Sequence, residues 1–399
     1  MAKLFIEDLA DLKSKRVLVR VDFNVPLKDG VVEDPKRIVA SLPTIQYLAA
    51  KGARVILMSH LGRPDGKVEE SMRLAPVAAE LSKQLAKPVA TASDCVGPAA
   101  QAAVAKMQDG DVLLLENLRF HAAEEANDPV FSKELASLGD VYVNDAFGTA
   151  HRAHASTAGV TGYLKQSVAG YLMKKELDFL GGAIESPKRP FVAIIGGAKV
   201  SGKIDVIRQM LPKVDKLIIG GGMAYTFARA KGLETGRSLV EVDKVELAKQ
   251  ILKESGDKLM LPSDCLITDH LDFKARTLGA TKTCAIEAIP SDWEAVDIGP
   301  VTTEKYASVI RGAKTVLWNG PMGVFEIEGS SKGTFGVAAA LAEATALGAI
   351  TVVGGGDSAS AIKKAGLSKK VSHVSTGGGA SLEFLEGKPL PGVLALTEK

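Results

Sequence analysis

The sequence has few of the features that mark exported, membrane-spanning or nucleic-acid-binding proteins. Its three cysteines, Cys95, Cys265 and Cys284, are an odd and widely spaced set. Such a set fits neither a disulfide framework nor a paired-cysteine zinc site and suits a reducing compartment. No run of about 18 apolar residues occurs, so we expect no transmembrane helix. The formal net charge is only +2, so no global field attracts nucleic acid or an anionic membrane. We therefore expect a cytoplasmic protein that binds anions through local clusters.

Short apolar runs alternate with longer segments of helical periodicity along the whole chain. Arg54–Met58, Phe191–Ile195 and Lys216–Ile219 are examples of the runs, and each is apolar almost throughout. Strands of this kind are typical of parallel sheets that helices cover on both faces. A single core rarely grows beyond roughly 250–300 residues, so 399 residues favour two domains. The predicted fold class is α/β, as two doubly wound (Rossmann-like) parallel-sheet domains joined by an interdomain helix and hinge.

An amphipathic segment followed by two prolines marks the predicted domain boundary. The apolar residues that recur on one helix face are Met173, Leu177, Leu180 and Ile184. Pro187 and Pro190 then interrupt the pattern. We therefore predict a first domain over residues 1–170, an interdomain helix over 171–185 and a second domain over 186–385.

Polar motifs follow the predicted strands in both halves of the chain. They occupy residues 22–24, 59–64, 116–119 and 144–148 in the first half, and 196–199, 220–222, 319–321, 354–357 and 377–379 in the second. In open α/β sheets, ligands bind beyond the carboxyl ends of the strands. We therefore expect a ligand site in each half.

The two halves differ in the chemistry of these motifs. The first half has no Gly-Gly pair but carries His60, Arg63, Arg119, His151 and Arg152 in or near the post-strand loops. Loop arginines suit the carboxylate and phosphate groups of a small ligand. The second half is rich in paired and triple glycines, which let backbone N–H groups approach phosphates or a base. The first half thus predicts a small-anion site and the second a nucleotide site.

Two glycine-rich turns of the second half have more than one interpretation. Gly197 and Gly202-Lys203 match the start of a P-loop, but Ile204 stands where that motif needs a Ser or Thr for magnesium. A glycine turn that presents Lys199 and Lys203 to nucleotide phosphates is favoured over a true P-loop or a plain strand–helix turn. The turn over residues 354–358 offers N–H donors and a carboxylate for Mg²⁺, or simply a helix N-cap.

Motifs for other kinds of chemistry are missing from the sequence. The histidines do not have zinc-ligand spacing, so anion binding or a structural role is favoured for His60, His151 and His154. No G-x-S-x-G elbow supports covalent catalysis, and no G-x-G-x-x-G fingerprint supports a dinucleotide enzyme.

Taken together, the motifs resemble those of the phosphoglycerate kinase family, in order and over essentially the whole chain. The strings that carry the resemblance are RVDFNVP at 20–26, SHLGRP at 59–64, ENLRF at 116–120, NDAFGTAHRAHAS at 144–156, GGAKVSGK at 196–203, GGGMAYTF at 220–227, WNGPMGVFE at 318–326, GGGDS at 354–358 and STGGGAS at 375–381.

The resemblance implies the reaction 1,3-bisphosphoglycerate + ADP ⇌ 3-phosphoglycerate + ATP, with Mg²⁺ and without a covalent intermediate. The residues it implies around 3-phosphoglycerate are Asp22, Asn24, Arg37, His60, Arg63, Arg119 and Arg152. Those implied for the nucleotide are Gly196, Gly197, Lys203, Gly220, Gly221, Asn319, Pro321, Glu326, Gly355, Gly356, Asp357 and Ser358. Asp357 would lie near the metal, and Arg37, Lys199 and Lys203 would gather the charge of the transferring phosphoryl group. The resemblance also implies a monomer, closure of the two domains, and a C-terminal tail over 386–399 that packs on the first domain.

Two departures from the family pattern concern detail. Ser358 stands where the family more often has Thr, which keeps the hydroxyl. Gly181-Gly182 lies inside the predicted interdomain helix, where each glycine costs roughly 1 kcal/mol relative to alanine.

Two other classes of function fit the residues less well. A non-catalytic, hinge-closing solute binder accounts for two domains with anion-binding loops, but leaves Lys199, Lys203, Glu326 and Asp357 unexplained. A nicotinamide-dependent oxidoreductase is disfavoured by the missing fingerprint.

Overall fold

The computed structural model describes residues 3–399 and divides the chain into two compact units. The first comprises the chain through Asp178 together with Pro389–Lys399, and the second comprises Phe179–Lys388. Each unit is built around one six-stranded sheet.

The first unit alternates strands with helices. Its strands are β1 (Arg16–Val21), β2 (Leu27–Lys28), β3 (Val31–Val32), β4 (Arg54–Met58), β5 (Ala90–Thr91), β6 (Val112–Leu114), β7 (Val141–Asp145) and β8 (Ser167–Ala169). Its helices are α1 (Lys36–Ala50), α2 (Ala75–Leu85), α3 (Gly97–Ala105), α4 (Ala122–Glu125), α5 (Pro129–Ser137) and α6 (Tyr171–Glu176). A short helix, Pro391–Leu394, lies in the C-terminal segment.

The main sheet of the first unit is parallel throughout, in the order β5-β6-β4-β1-β7-β8. Each residue of the central strand β1 from Val17 to Val21 is at most 1 % exposed. The strand is therefore covered on both faces, which is why its sequence is nearly continuously apolar.

The second unit has the same alternation with an antiparallel insertion. Its strands are β9 (Phe191–Ile195), β10 (Lys216–Ile219), β11 (Leu259–Met260), β12 (Asp264–Thr268), β13 (Leu271–Asp272), β14 (Thr277–Leu278), β15 (Thr281–Ala285), β16 (Glu294–Ile298), β17 (Thr315–Asn319), β18 (Ile350–Gly354) and β19 (His373–Val374). Its helices are α7 (Gly182–Glu185), α8 (Ile204–Met210), α9 (Met223–Ala230), α10 (Val245–Ser255), α11 (Pro300–Gly312), α12 (Lys332–Ala346), α13 (Gly356–Lys364) and α14 (Gly379–Leu385).

The main sheet of the second unit is also parallel, in the order β11-β10-β9-β17-β18-β19. Numbered along the chain, this is the order 3-2-1-4-5-6 of the doubly wound nucleotide-binding fold. The chain reverses its direction of travel between β9 and β17, and ligands bind beyond such a switch point. The predicted α/β class with two doubly wound parallel sheets is confirmed.

The segment predicted as one interdomain helix is helical but not uniform. Helix α6 is followed by a π-helical stretch, Leu177–Gly181, and then by α7, so Gly181 and Gly182 lie where the hydrogen-bonding pattern changes. The division between the two units falls within the π-helical stretch.

The C-terminal segment forms contacts within the first unit. The Lys3 ammonium group donates hydrogen bonds to the carbonyl oxygens of Leu394 at 3.1 Å and Leu396 at 2.8 Å. The side-chain amide of Asn144 donates to the Gly392 carbonyl at 3.1 Å. No helix within residues 3–399 combines the length and apolarity that crossing a membrane requires.

Candidate functional site

The loops that follow β9, β10 and β17 meet at the switch point of the second sheet. The Gly196 amide donates to the Asn319 carbonyl at 2.9 Å, and the Gly197 amide donates to the Pro321 carbonyl at 3.1 Å. A Cβ on Gly196 would lie 2.1 Å from that Pro321 oxygen, and one on Gly221 would lie 2.5 Å from the Gly197 oxygen. Gly220 is buried in the loop after β10, where a Cβ would lie 2.4 Å from the Met322 sulfur. Only glycine permits this close approach of the backbones.

Lys203 and Asn319 are joined beside these loops. The Lys203 ammonium donates to Oδ1 of Asn319, whose side chain is buried. Burial lowers the pKa of Lys203, and the charge of Asp357 opposes that change. Within residues 3–399, Nδ2 of Asn319 is enclosed and has no hydrogen-bond partner. An orphaned buried donor of this kind indicates an acceptor that the protein itself does not supply.

The turn after β18 lies against the same amide group. Gly355 has φ +87°, and a Cβ there would lie 3.0 Å from Nδ2 of Asn319. Helix α13 begins directly after it, so the exposed Gly356 and Asp357 stand in the first turn of a nine-residue helix. Helix starts favour anions because their N–H groups are unpaired. The carboxylate of Asp357 adds a hard oxygen ligand for a cation.

Ser358, expected to contact a nucleotide, has a partner inside the protein. Its side chain is completely buried, and its hydroxyl accepts a hydrogen bond from the Gly320 amide at 2.6 Å. This bond ties the turn after β18 to the loop after β17.

Lys199 and Glu326 lie at the margin of the cluster. Lys199 is exposed in the loop between β9 and α8, and Glu326 is half-buried. The main-chain oxygen of Glu326 accepts a hydrogen bond from the Lys364 ammonium at 3.0 Å. Within residues 3–399, neither the Lys199 ammonium nor the Glu326 carboxylate forms a hydrogen bond or ion pair with Lys203 or Asn319. Only their positions in the sequence associate them with the cluster.

In the first unit, Arg37 at the start of α1 is held by the loop after β1. Its Nη1 donates to both carboxylate oxygens of Asp22 at 2.9 Å and to the Asn24 carbonyl at 3.2 Å. The Asn24 side chain in turn accepts from the Gly62 amide at 3.0 Å, which links this loop to the one after β4. Within the described chain, Nε and Nη2 of Arg37 have no protein partner, so one edge of the guanidinium is available to an anion.

His60 is a buried imidazole surrounded by positive charge. Burial and the charges of Arg20, Arg119, Arg37 and Arg152, in that order, hold its pKa well below the usual value. The imidazole is therefore neutral at physiological pH. Electrostatic influence from four guanidinium groups also shows that these arginines converge on one region of the unit.

The remaining predicted arginines of this region differ in burial. Arg119 is buried, donates from Nη1 to the Gly62 carbonyl at 2.9 Å and pairs with Glu125 at 3.2 Å. Burial lowers its pKa, although it stays charged. Arg152 is half-buried and donates from Nε to a ring nitrogen of His151 at 3.3 Å, whereas Arg63 is exposed.

One residue of this cluster received no role from the sequence. Arg20 is 1 % exposed at the end of β1, and its guanidinium lies 3.2 Å from Nδ1 of His60. A lone arginine in an otherwise apolar strand was the available signal, because a buried charge needs partners.

Comparison with known proteins gives one consistent result. The chain matches the family described as Phosphoglycerate kinase over residues 6–388. It is similar to the phosphoglycerate kinases of Moorella thermoacetica, at 59 % identity over 402 residues, and Chloroherpeton thalassium, at 58 % over 400 residues, with all of both chains covered in each case. Among solved structures it resembles the phosphoglycerate kinase of Coxiella burnetii, with a TM-score of 0.89, 43 % identity and 98 % of each chain covered. The enzyme of Pyrococcus horikoshii gives 0.84, 34 % and 98 % of each chain.

Proposed function

The chain belongs to the phosphoglycerate kinase family, and from that premise we propose which residues carry out the reaction. The reaction is the reversible transfer of a phosphoryl group from 1,3-bisphosphoglycerate to ADP, which gives 3-phosphoglycerate and ATP in glycolysis and gluconeogenesis. The enzyme is a phosphotransferase with a carboxyl group as acceptor.

The nucleotide binds at the switch point of the second unit in this proposal. The observation that carries it is the convergence of Lys203, the orphaned amide of Asn319 and the Gly355 turn at one place. The residues proposed for this role are Gly196, Gly197, Lys203, Gly220, Gly221, Asn319, Pro321, Glu326, Gly355, Gly356, Asp357 and Ser358. Backbone amides and one ammonium group suit phosphate oxygens, and glycine turns allow a flat base to approach the backbone.

3-Phosphoglycerate binds in the first unit. The residues proposed are Asp22, Asn24, Arg37, His60, Arg63, Arg119 and Arg152. Support comes from the guanidinium groups that converge on His60, since arginine forks match carboxylates and phosphates. Asp22 can only accept hydrogen bonds when ionised, so it suits the hydroxyl of the ligand rather than its anionic groups.

Mg²⁺ is proposed to accompany the nucleotide. Asp357 offers an exposed carboxylate next to a turn that suits phosphates, and Mg²⁺ is commonly held by one or two carboxylates plus substrate phosphates. The donor set therefore fits the ion. When bound, Mg²⁺ would neutralise charge on the phosphate oxygens.

The chain's own groups act mainly by position and charge. Phosphoryl transfer needs reacting atoms roughly 3–3.5 Å apart and in line. Arg37, Lys199 and Lys203 would stabilise the charge that spreads over the phosphoryl oxygens. An acyl phosphate is already activated, so no general base or covalent intermediate is required. Because each ligand binds to a different unit, we propose that the units close over both ligands and exclude water.

A cytoplasmic monomer that binds only small molecules completes the proposal, without nucleic-acid or membrane partners. All three cysteines are free thiols, which suits a reducing compartment.

The test is a coupled assay with ATP and 3-phosphoglycerate, in which formation of 1,3-bisphosphoglycerate is followed by NADH oxidation. Turnover that requires both substrates and Mg²⁺ is expected. Binding of both ligands by calorimetry without turnover would instead favour a solute binder.

A further inference from the structure

A chain of buried polar side chains lies behind the proposed 3-phosphoglycerate ligands. Glu124 in α4, Ser156 in the loop after β7 and Arg20 in β1 are each at most 1 % exposed. The large majority of buried polar side chains have at least one hydrogen-bond partner. The proposed reaction assigns none of the three a role.

The hydrogen bonds of Glu124 and Ser156 have a defined direction. The Ser156 amide donates to Oε2 of Glu124 at 2.9 Å, and the Ser156 hydroxyl donates to Oε1 at 2.5 Å. A hydroxyl has a single hydrogen, so its lone pairs remain to accept the bond from Nε of Arg20 at 2.8 Å. Burial raises the pKa of Glu124, while the charge of Arg20 and the bonds from Ser156 oppose that rise. Glu124 thus serves as the counter-charge of Arg20.

The next bond in the chain determines which nitrogen of His60 carries the hydrogen. Nη2 of Arg20 lies 3.2 Å from Nδ1 of His60, and a guanidinium can only donate. Nδ1 must therefore be the acceptor, and the neutral imidazole must carry its hydrogen on Nε2. Among residues 3–399, Nε2 of His60 has no hydrogen-bond partner.

We propose that Glu124, Ser156 and Arg20 are positioning residues that hold His60 as the neutral Nε2–H tautomer, so that it donates one hydrogen bond to an anionic group of 3-phosphoglycerate. This rests on the proposed function, which places His60 at that ligand. The opposite tautomer would turn an N–H towards the Arg20 guanidinium and a lone pair towards the ligand anion. Both contacts would be repulsive.

Two variants test the proposal. Ser156→Ala removes the hydroxyl that links Glu124 to Arg20, and Glu124→Gln replaces one acceptor oxygen with an NH₂ donor. The matched control is Ser132→Ala, because Ser132 is equally buried in the same unit but its hydroxyl donates only to the Asp128 carbonyl at 2.8 Å. The measurement is the two-bond ¹H–¹⁵N correlation spectrum of the histidine rings of the full chain at neutral pH. The signals of His60 are assigned by their loss in His60→Gln.

The parent and Ser132→Ala should show His60 with an unprotonated Nδ1 and a protonated Nε2. Ser156→Ala and Glu124→Gln should show a mixture of tautomers. Their KM for 3-phosphoglycerate should rise by the reciprocal of the Nε2–H fraction that remains, about twofold for an equal mixture and about tenfold if one tenth remains, while KM for ATP should equal that of the parent. A matching change in Ser132→Ala would attribute the effect to lost stability and overturn the proposal.

The spectrum also separates this inference from the proposed function. An Nδ1–H or doubly protonated His60 in the parent overturns the inference even if the enzyme is fully active. A higher KM in Ser156→Ala with an unchanged tautomer overturns it as well. The parent could instead have the Nε2–H tautomer but neither turn over nor shift its His60 signals when 3-phosphoglycerate is added. That result would support the hydrogen-bond chain and refute the proposed function.

Discussion

Replacing Arg37 by alanine separates transition-state stabilisation from substrate binding. Nη1 of Arg37 is committed to Asp22 and Asn24, while Nε and Nη2 are uncommitted within the described residues. The guanidinium is thus held in place with one edge open, which is the arrangement expected of a preorganised donor. Loss of such a donor costs about 2.7–4 kcal/mol of transition-state stabilisation, so kcat should fall by about 10²–10³-fold.

A second effect of Arg37→Ala follows from its partner. The Asp22 side chain is only 13 % exposed and would lose its cation. If about 6 Å separated the two charges, an uncompensated carboxylate would repel an anionic group of the ligand by roughly 1–3 kcal/mol at an effective dielectric constant of about 20–80. KM for 3-phosphoglycerate should therefore also rise, by roughly tenfold. Adding Asp22→Asn removes the charge, so the double variant should regain part of the KM but none of the kcat.

The assay is steady-state kinetics with each substrate varied, on the parent, both single variants and the double variant. Arg54→Ala is the matched control, because Arg54 forms a comparable pair with Asp109 at 3.2 Å at the start of β4, at the end of the sheet away from the post-strand loops. Its kinetics should equal those of the parent. An Arg37→Ala variant with normal kcat and a higher KM would remove Arg37 from transition-state stabilisation. A double variant with no recovery of KM would refute the argument about the charge of Asp22.

Three further predictions concern binding, packing and pH. Lys203→Met should weaken ATP binding by more than about tenfold and leave 3-phosphoglycerate affinity nearly unchanged; calorimetry with both ligands checks this, and an equal loss for both would contradict separate sites. Gly196→Ala should lower the melting temperature, since its Cβ would lie 2.1 Å from a backbone oxygen and overpacking costs about 1–3 kcal/mol or more, whereas Gly202→Ala, with nothing within 4 Å, should not. Burial raises the pKa of Asp145 to about 7, above its unfolded value, so its contribution to stability is present at low pH and is lost as pH rises towards 7. Urea midpoints at pH about 5 and about 8 should therefore differ less in Asp145→Asn than in the parent; an unchanged difference would show that Asp145 is ionised throughout.

The sequence by itself determined the strands of the two main sheets where they are long and fully buried. Arg54–Met58, Phe191–Ile195 and Lys216–Ile219 were predicted with the bounds that the structure gives them. Burial on both faces gives each of these strands a nearly continuous apolar run. The strands β5, β8 and β11 were missed, because each has only two or three residues and lacks a clear apolar run.

The sequence also predicted the kinds of chemistry at the two sites. Loops that follow parallel strands lie at the same edge of the sheet. Motifs that directly follow such strands are therefore expected to lie close together in the fold. Glycine in one half and arginine in the other therefore predicted two kinds of ligand site.

Only the tertiary structure decided which groups are in contact. Strand order 3-2-1-4-5-6 brings the loop after β9 against the loop after β17. In the same region Nδ2 of Asn319 has no hydrogen-bond partner among residues 3–399. The link from Ser156 to Arg20 spans 136 positions, and the link from Arg20 to His60 spans 40. No local pattern records such bonds, because they depend on the order and register in which the strands assemble. Hydrogen-bond direction, and with it the tautomer of His60, follows from those long-range contacts alone.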